Sequence, residues 1–166
     1  MIHFLVDTDI ASHIHFLKHR ISSFNGESAR YKELKEDKIY LPADWKGIKN
    51  SDQLEWLNLL KKYTEEGNML YHSCLKDLEP VLGRKRAKES ARFFKTYNSQ
   101  IEGDVSFNMR SFANFYHLRN CKNAQKEIRE IALIMFDLVS NIDGNPFEET
   151  LKMVAKYKPT KIDVTL

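Results

Sequence analysis

Short apolar stretches predict the strands of this chain. Residues 2–6 and 101–107 have this pattern, and residues 38–41 form a third stretch, which Pro42 ends. Branched and aromatic residues suit a half-buried sheet, whereas proline lacks the N–H group that a strand requires. The tail, residues 162–166, alternates in the manner of an edge strand. Together these segments predict a small sheet.

Apolar residues at helical spacing predict the remaining secondary structure. Helices are predicted over residues 9–19, 52–82 with a break or loosening at Gly67, 84–97, 108–119, 122–142 and 147–157. The candidate N-caps are Thr8 or Asp9, Ser51 or Asp52, and Asn108. Gly83, and Gly144 with Pro146, are predicted to end helices.

The same spacing predicts which helix faces are buried. The predicted inward positions are Ile10, Ile14 and Leu17 in the first helix, Leu54, Leu57 and Leu60 in the second, and Ala124, Ile128, Ile131, Met135, Leu138 and Ile142 in the fifth. Residues 131–136 are apolar almost all round, which predicts burial in the core or at a subunit interface.

The mixture of strands and helices, without a repeated β-α-β order, predicts an α+β fold of mixed helices on a small antiparallel-type sheet. The 166 residues, 19.5 kDa in all, are 42% hydrophobic and 30% charged, which is typical of one globular domain with a substantial core. A net charge of +3 permits anionic ligands but does not indicate an extended nucleic-acid surface.

The two cysteines, Cys74 and Cys121, are far apart and show no paired spacing for a metal or redox site. A reduced, cytoplasmic compartment is the simplest interpretation of such unpaired cysteines. No apolar run is long enough to span a bilayer, and no signal-peptide pattern precedes the first strand.

One segment, residues 18–31, carries an unusual excess of hydrogen-bond donors. Its cations Lys18, Arg20 and Arg30 are interleaved with serines, Asn25 and Gly26. Guanidinium groups, hydroxyls and backbone N–H groups near a glycine are suited to holding anions. Ordinary loop chemistry beside the end of a helix is the alternative interpretation.

Three histidines near this segment raise the question of a metal. His15 and His19 are four residues apart, the spacing of a zinc pair on one helical face. No carboxylate or third ligand follows at a matching interval, so we predict no metal site there.

Residues 84–97 are rich in cations, which suits either a solvated helix face or a nucleic-acid-binding surface. Arg92 differs from the other cations because Ala91, Phe93 and Phe94 surround it in sequence. A cation among apolar neighbours must be paired or bind a ligand.

The helix that begins after Asn108 is predicted to present two polar faces. Arg110 and Asn114 lie four residues apart on one face, whereas Arg119 lies about 140° further round. The predicted core positions of this helix are Met109, Phe112, Phe115 and Tyr116. Such a helix is suited to two ligands or two subunits.

These motifs resemble the signature of the flavin-dependent thymidylate synthases. The family motif Arg-His-Arg, seven residues, Ser-x-Arg-Tyr corresponds here to Lys18-His19-Arg20, seven residues, Ser28-Ala29-Arg30-Tyr31. A second block resembles the family's Asn-x-Arg-Ser, Asn-Phe, Leu-Arg and Ala-Gln-x-Glu-Ile series. It comprises Asn108-Met109-Arg110-Ser111, Asn114-Phe115, Leu118-Arg119 and Ala124-Gln125-Lys126-Glu127-Ile128-Arg129.

The resemblance implies roles for individual residues. The positions that match flavin contacts are Lys18, His19, Arg20, Asn108, Arg110 and Asn114. Those that match contacts to dUMP are His15, Lys18, Ser28, Ala29, Arg30, Arg92 and Arg119. Arg119 matches the arginine at the uracil ring and is therefore the implied catalytic residue.

The implied reaction is the reductive methylation of dUMP to dTMP, with methylenetetrahydrofolate as carbon donor, FAD as cofactor and NADPH as reductant. The resemblance also implies a homotetramer whose sites are shared between subunits. It further implies one domain over residues 1–166 that lacks the family's N-terminal His-x-Thr-Pro-Phe-Glu-His type segment. A relative that binds nucleotide or flavin without turnover is the alternative, since that segment has no counterpart here. Lys18, Gly26 and His15 also depart from the usual Arg, Glu and Gln.

Overall fold

The computed structural model describes residues 1–19, 21–26, 28, 33–34 and 36–156. Within them lie three strands and six helices. The strands are β1 (Ile2–Asp9), β2 (Ser23–Gly26) and β3 (Gln100–Phe107). The helices are α1 (Ile10–Leu17), α2 (Trp56–Leu82), α3 (Arg84–Ala91), α4 (Met109–Arg119), α5 (Lys126–Ser140) and α6 (Glu148–Lys156). Two 3-10 turns, Ala43–Trp45 and Arg92–Phe94, complete the described elements.

The strands form one sheet in the order β1-β3-β2, with β3 in the centre. Six helices accompany this small antiparallel sheet, which confirms the predicted α+β class. None of the helices described is long and apolar enough to cross a membrane.

The chain divides into two compact units. Unit 1 contains the described residues within 1–4, 17–23 and 105–166, and unit 2 contains those within 5–16 and 24–104. The core of unit 1 is an aromatic cluster in which Phe107 and Phe112 lie 6.0 Å apart between ring centroids, beside Phe4 and Phe115. In unit 2, Tyr71 and Leu75 of α2 pack against two alanines of α3.

Helix α1 begins as the sequence predicts, because the Asp9 carboxylate accepts a hydrogen bond of 2.9 Å from the backbone N–H of Ser12. Its predicted inner face is wrong. Ser12 and Phe16 are buried, whereas Leu17 is 56% exposed. Phe16 stacks instead on Phe24 of β2, so the ring with the larger apolar surface is the one that becomes buried.

The predicted strand over residues 38–41 is also wrong. This segment makes a single antiparallel bridge, between Ile39 and Ser99, through two backbone hydrogen bonds near the start of β3. One bridge orders the segment but does not extend the sheet.

Helix α2 begins later than the sequence predicts, at Trp56 rather than at Ser51 or Asp52. The side chain of Asn50 accepts hydrogen bonds from the N–H groups of Asp52 and Leu54, which stabilises a turn in place of the first helical turn. Leu54 is consequently exposed, and the predicted stripe through it does not face the core. The buried positions are Thr64, Gly67, Asn68, Tyr71 and Leu75.

Helix α2 is continuous through Gly67, which neither breaks nor ends it. A Cβ atom at Gly67 would lie 2.6 Å from the backbone oxygen of Phe94, so the glycine allows a close approach of the following 3-10 turn. Gly83, with φ of 75°, ends the helix as predicted.

Helix α5 is shorter than predicted and buries a different stripe. Its buried residues are Ile128, Ala132, Met135 and Val139, whereas Leu138 and Ile142 from the predicted stripe are exposed. Leu133 and Ile134 are also exposed, so residues 131–136 are not enclosed within this chain. The predicted burial of that segment at a subunit interface stays a prediction, as does the edge strand of residues 162–166, which lie outside the described part.

Candidate functional site

Helix α4 in unit 1 carries the second block of motif residues. Asn108 is its N-cap, as predicted, since its side-chain oxygen accepts a hydrogen bond of 2.9 Å from the Ser111 backbone N–H. Phe112 and Phe115 are fully buried in the aromatic cluster, and this anchoring fixes the rotation of the helix. Arg110 and Asn114 are therefore held on the exposed side.

This exposed side of α4 offers a cation and an amide one turn apart. Arg110 supplies planar N–H donors, and the Asn114 amide both donates and accepts. Lys18, also in unit 1, is exposed as well. Donors of this kind are suited to anionic and polar groups of a ligand.

Arg119, at the last position of α4, is held by a residue 100 positions earlier in the chain. Its Nε donates a hydrogen bond of 2.9 Å to Nε2 of His19. Both residues belong to unit 1. The structure therefore brings together one residue from each motif block, which the sequence predicted only as separate contacts.

The imidazole of His19 is fixed on several sides. It is 8% exposed, and its ring meets the ring of Phe115 edge-on at 5.0 Å. Its backbone oxygen accepts hydrogen bonds from both the N–H and the hydroxyl of Ser22. Since Nε2 accepts from Arg119, the ring proton of a neutral His19 must be on Nδ1.

The guanidinium of Arg119 is half-buried. Burial lowers its pKa, and the nearby Cys121 opposes this effect. An arginine retains its charge at neutral pH even with such a shift, because its ordinary pKa is far above 7. The site therefore presents a permanent cation in a partly dry environment.

The other predicted nucleotide residues are distributed over both units and the undescribed part. Arg20, Ala29 and Arg30 lie outside the described residues. His15 lies in α1 of unit 2, and Ser28 is half-buried in unit 2.

Arg92, in unit 2, is exposed in the 3-10 turn that follows α3. Its neighbour Phe93 is 80% exposed, so apolar groups do not enclose Arg92 and do not require it to be paired or to bind a ligand, contrary to the prediction. A role for Arg92 in binding a nucleotide stays a prediction.

Unit 2 also contains a polar cluster that the sequence did not single out. Lys95, whose side chain is 4% exposed, donates hydrogen bonds to Asp37 at 2.6 Å and to Asn68 at 2.8 Å, and lies 4.5 Å above the Tyr71 ring. His72 lies 2.9 Å from the other oxygen of Asp37. The sequence signal was weak, because Lys95 is one of several cations in its segment.

Asp37 is the centre of this cluster. Its φ of 49° is rare for a residue with a side chain. Burial raises its pKa, but the hydrogen bonds and charges of Lys95 and His72 outweigh burial and hold the pKa below its ordinary value. The cluster borders a cavity of about 510 Å³ in unit 2, whose charged lining residues include Glu33, Asp37, Lys38, Arg84, Lys88 and Lys95.

Among the described residues, no group of three or more histidine, cysteine or carboxylate side chains is arranged to hold a metal ion. His15 and His19, the candidate zinc pair, belong to different units, and α1 ends before His19.

Comparison with known proteins places these motifs in context. A family model described as thymidylate synthase complementing protein matches residues 1–143. A flavin-dependent thymidylate synthase of Helicobacter pylori is 28% identical over 138 residues, which are 81% of this chain and 64% of that protein. Proteins of the same name from Pseudothermotoga lettingae and Thermosipho melanesiensis are 32% and 30% identical, over 82% and 90% of this chain and 60% and 67% of their own lengths. The chain thus spans about three fifths of the length of the first curated relatives it matches.

Proposed function

The chain belongs to the thymidylate synthase complementing protein family, and on that premise we propose that it is a flavin-dependent thymidylate synthase. The reaction would be the reductive methylation of dUMP to dTMP, with methylenetetrahydrofolate as carbon donor and FAD and NADPH supplying the reducing equivalents. The names of the relatives, each a flavin-dependent thymidylate synthase, support this proposal.

The observation that carries the proposal is the pair of His19 and Arg119. Each is a motif residue from a different block, and the side chains meet at 2.9 Å although 100 positions separate them. A half-buried cation fixed by a buried imidazole is the arrangement expected where negative charge develops on a substrate.

Arg119 is proposed to contact the uracil ring of dUMP. C5 of uracil is a poor nucleophile until negative charge is moved into the ring. A guanidinium beside the ring favours the form deprotonated at N3, and its effect is stronger in a site that excludes water. This role requires a side chain that keeps its charge and its orientation.

Six residues are proposed to hold the flavin: Lys18, His19, Arg20, Asn108, Arg110 and Asn114. The cations would bind the pyrophosphate, and the amide groups would orient the ring system. When bound, reduced FAD supplies the hydride that completes the methyl group, so the protein need only bind, orient and polarise.

Contacts to dUMP are proposed for His15, Lys18, Ser28, Ala29, Arg30 and Arg92. Of these, Ser28, Arg30 and Arg92 are proposed to hold its phosphate and sugar. The exposure of Arg92 supports this role, because an accessible guanidinium can make a bidentate contact to phosphate.

We also propose that residues 1–166 act as one domain and assemble as a homotetramer with shared sites. The exposed apolar side chains of α5, Leu133 and Ile134, support an assembly that covers them. Light scattering of the purified protein at several concentrations tests the tetramer, and a monomer throughout the range would contradict it.

The experiment that tests the function compares Arg119→Ala with Arg86→Ala, which changes an exposed arginine of α3 outside the proposed site. FAD binding is followed by visible absorbance, dUMP binding by the response of the flavin spectrum, and turnover by dTMP formation. We expect the wild-type protein and Arg86→Ala to form dTMP, and Arg119→Ala to lose at least about a hundredfold in kcat/KM.

The outcomes separate the candidate functions. Flavin and dUMP binding without turnover would support the alternative, a relative that binds these ligands but does not catalyse the reaction. Full turnover by Arg119→Ala would contradict the role given to that residue. Absence of both flavin and dUMP binding would contradict the proposed function altogether.

A further inference from the structure

His19 and Arg119 make a contact in which each nitrogen has a defined role. The Nε–H of arginine can only donate, so Nε2 of His19 must accept. An imidazole accepts only when it is neutral, since both nitrogens donate in the protonated form. The contact therefore depends on the protonation state of His19 as well as on its position.

Because His19 is buried, its hydrogen bond restricts the orientation of the Arg119 side chain. An exposed arginine samples many rotamers, because its long side chain loses entropy when it is fixed. Here Nε is held by an imidazole that is itself 8% exposed and packed edge-on against Phe115. A bond to Nε restricts the rotation of the guanidinium plane relative to His19.

We propose that His19 is a positioning residue, whose Nε2 atom orients the Arg119 guanidinium for the pyrimidine ring. This inference rests on the proposed function, and it adds to the flavin contact already proposed for His19. It couples the two motif blocks, because a residue that borders the flavin would set the orientation of the arginine that polarises the nucleotide.

The inference predicts a defined pH response. Protonating His19 would remove its acceptor and place two cations 2.9 Å apart, so the contact would break. The charged or titratable groups beside the pair include Arg119 and Cys121 from the end of α4 and Lys18 from the segment of His19 itself. Arg119 keeps its charge throughout the acid range, so protonation of His19 is the change that would break the contact.

Two amide variants form a matched pair for the test. In His19→Gln the side-chain oxygen reaches the region of Nε2, and it accepts a hydrogen bond but is not protonated. In His19→Asn the same amide is one methylene shorter and reaches the region of Nδ1 instead. A positioning role thus predicts that Gln restores the contact and Asn does not, whereas a role in packing alone predicts no such difference.

The first measurement needs no substrate. The Nε–H resonance of Arg119 is assigned by its loss in Arg119→Lys, and its exchange with water is followed by NMR from about pH 8 to about pH 5. Because hydroxide catalyses this exchange, each rate is compared with the intrinsic rate at the same pH to give a protection factor. We expect a high protection factor in the wild-type protein at the upper end and a protection factor at least about tenfold lower at the lower end. His19→Gln should keep a high protection factor throughout, and His19→Asn a low one throughout.

The second measurement is dUMP affinity by calorimetry on the FAD-loaded protein. We expect affinity about tenfold weaker in His19→Asn than in His19→Gln, as the loss of one charge-assisted hydrogen bond implies. Equal affinities in the two variants, with dUMP still bound, would overturn the positioning role and leave the proposed function standing.

The NMR measurement on Arg119, which needs no substrate, distinguishes the remaining outcomes. If the Arg119 resonance exchanges equally fast in the wild-type protein and in His19→Asn, the contact does not exist and the inference fails. If the resonance behaves as expected but the wild-type protein binds no dUMP, the contact orients no nucleotide, and the inference fails together with the proposed function. The wild-type pH series retains its value even where a variant does not fold.

Discussion

Gly67 provides the sharpest test of how unit 2 is packed. It lies in the middle of α2, where alanine is ordinarily favoured over glycine by about 1 kcal/mol. A Cβ atom there would lie 2.6 Å from the backbone oxygen of Phe94, and ordinary van der Waals contact begins at 3.4 Å. Helix and turn would have to separate by about 0.8 Å, the difference between these two distances.

Two opposed effects determine the expected change in unfolding free energy for Gly67→Ala. Overpacking a well-packed interior costs about 1 to 3 kcal/mol, and the cost lies at the upper end where the opposing atom is backbone and cannot rotate away. Subtracting the helix-propensity gain leaves a net destabilisation of about 1 to 2 kcal/mol for Gly67→Ala. For a chain of this length, this corresponds to a melting temperature about 2 to 8 °C lower.

Urea and thermal unfolding of Gly67→Ala measure this change. Ser73→Ala is the matched control, because Ser73 lies on the exposed side of the same helix and gains helix propensity without a clash. We expect the control to be as stable as the wild-type protein or slightly more so. If Gly67→Ala is also stabilised, the close approach of α2 to the turn does not exist and the packing argument is refuted.

The same substitution connects packing to the proposed function. Phe94 belongs to the turn that begins at Arg92, so displacing this turn moves a proposed phosphate contact. We expect weaker dUMP binding in Gly67→Ala at temperatures where the variant is fully folded, and unchanged binding in Ser73→Ala.

Three further substitutions test other parts of the structure. Asp37→Asn keeps a side chain that tolerates positive φ but removes the charge. The pKa of Asp37 in the folded protein lies below its ordinary value, so its carboxylate stabilises the fold above about pH 4 and loses this effect as the pH falls. Urea unfolding of Asp37→Asn should therefore show a stability deficit at neutral pH that disappears in acid. Asn108→Ala should cost about 1 kcal/mol in unfolding free energy through loss of the α4 cap, whereas Asn108→Ser should recover most of that loss. Equal stability of the two variants would contradict the capping role of Asn108. Phe112→Ala should cost about 3 to 5 kcal/mol in unfolding free energy because the ring is fully buried. Phe93→Ala alters a ring that is 80% exposed and should change the unfolding free energy by less than about 0.5 kcal/mol. Comparable losses for the two variants in thermal melts would contradict the assigned core.

The sequence predicts the elements whose signals are local. The capping oxygen of Asn108, the helix end at Gly83 and the apolar runs that became β1 and β3 each depend on a few neighbouring residues, and each prediction is confirmed. The start of α2 was missed although its cause is also local. Asn50 competes for the backbone N–H groups of Asp52 and Leu54, and a turn competes with a first helical turn on nearly equal terms.

The sequence predicts less well which face of each helix is buried. Helical periodicity identifies a row of apolar residues on one side of a helix but not the surface against which that side packs. Leu138 and Leu54 fit the helical period yet are exposed, while Thr64 and Ser12 are buried against neighbours that no local pattern specifies. The motif blocks identified by resemblance indicate the family, and the family match confirms it.

Only the tertiary structure decides which of those side chains act on one another. The bond between His19 and Arg119 spans 100 residues, and that between Lys95 and Asp37 spans 58. Contacts over such separations depend on how helices and strands pack, and packing is a property of the whole unit rather than of any window of sequence. The sequence by itself thus determined the α+β class and the residues available for chemistry. The tertiary structure determined that a histidine holds the arginine, since a hydrogen bond requires a distance and a direction that no sequence pattern contains.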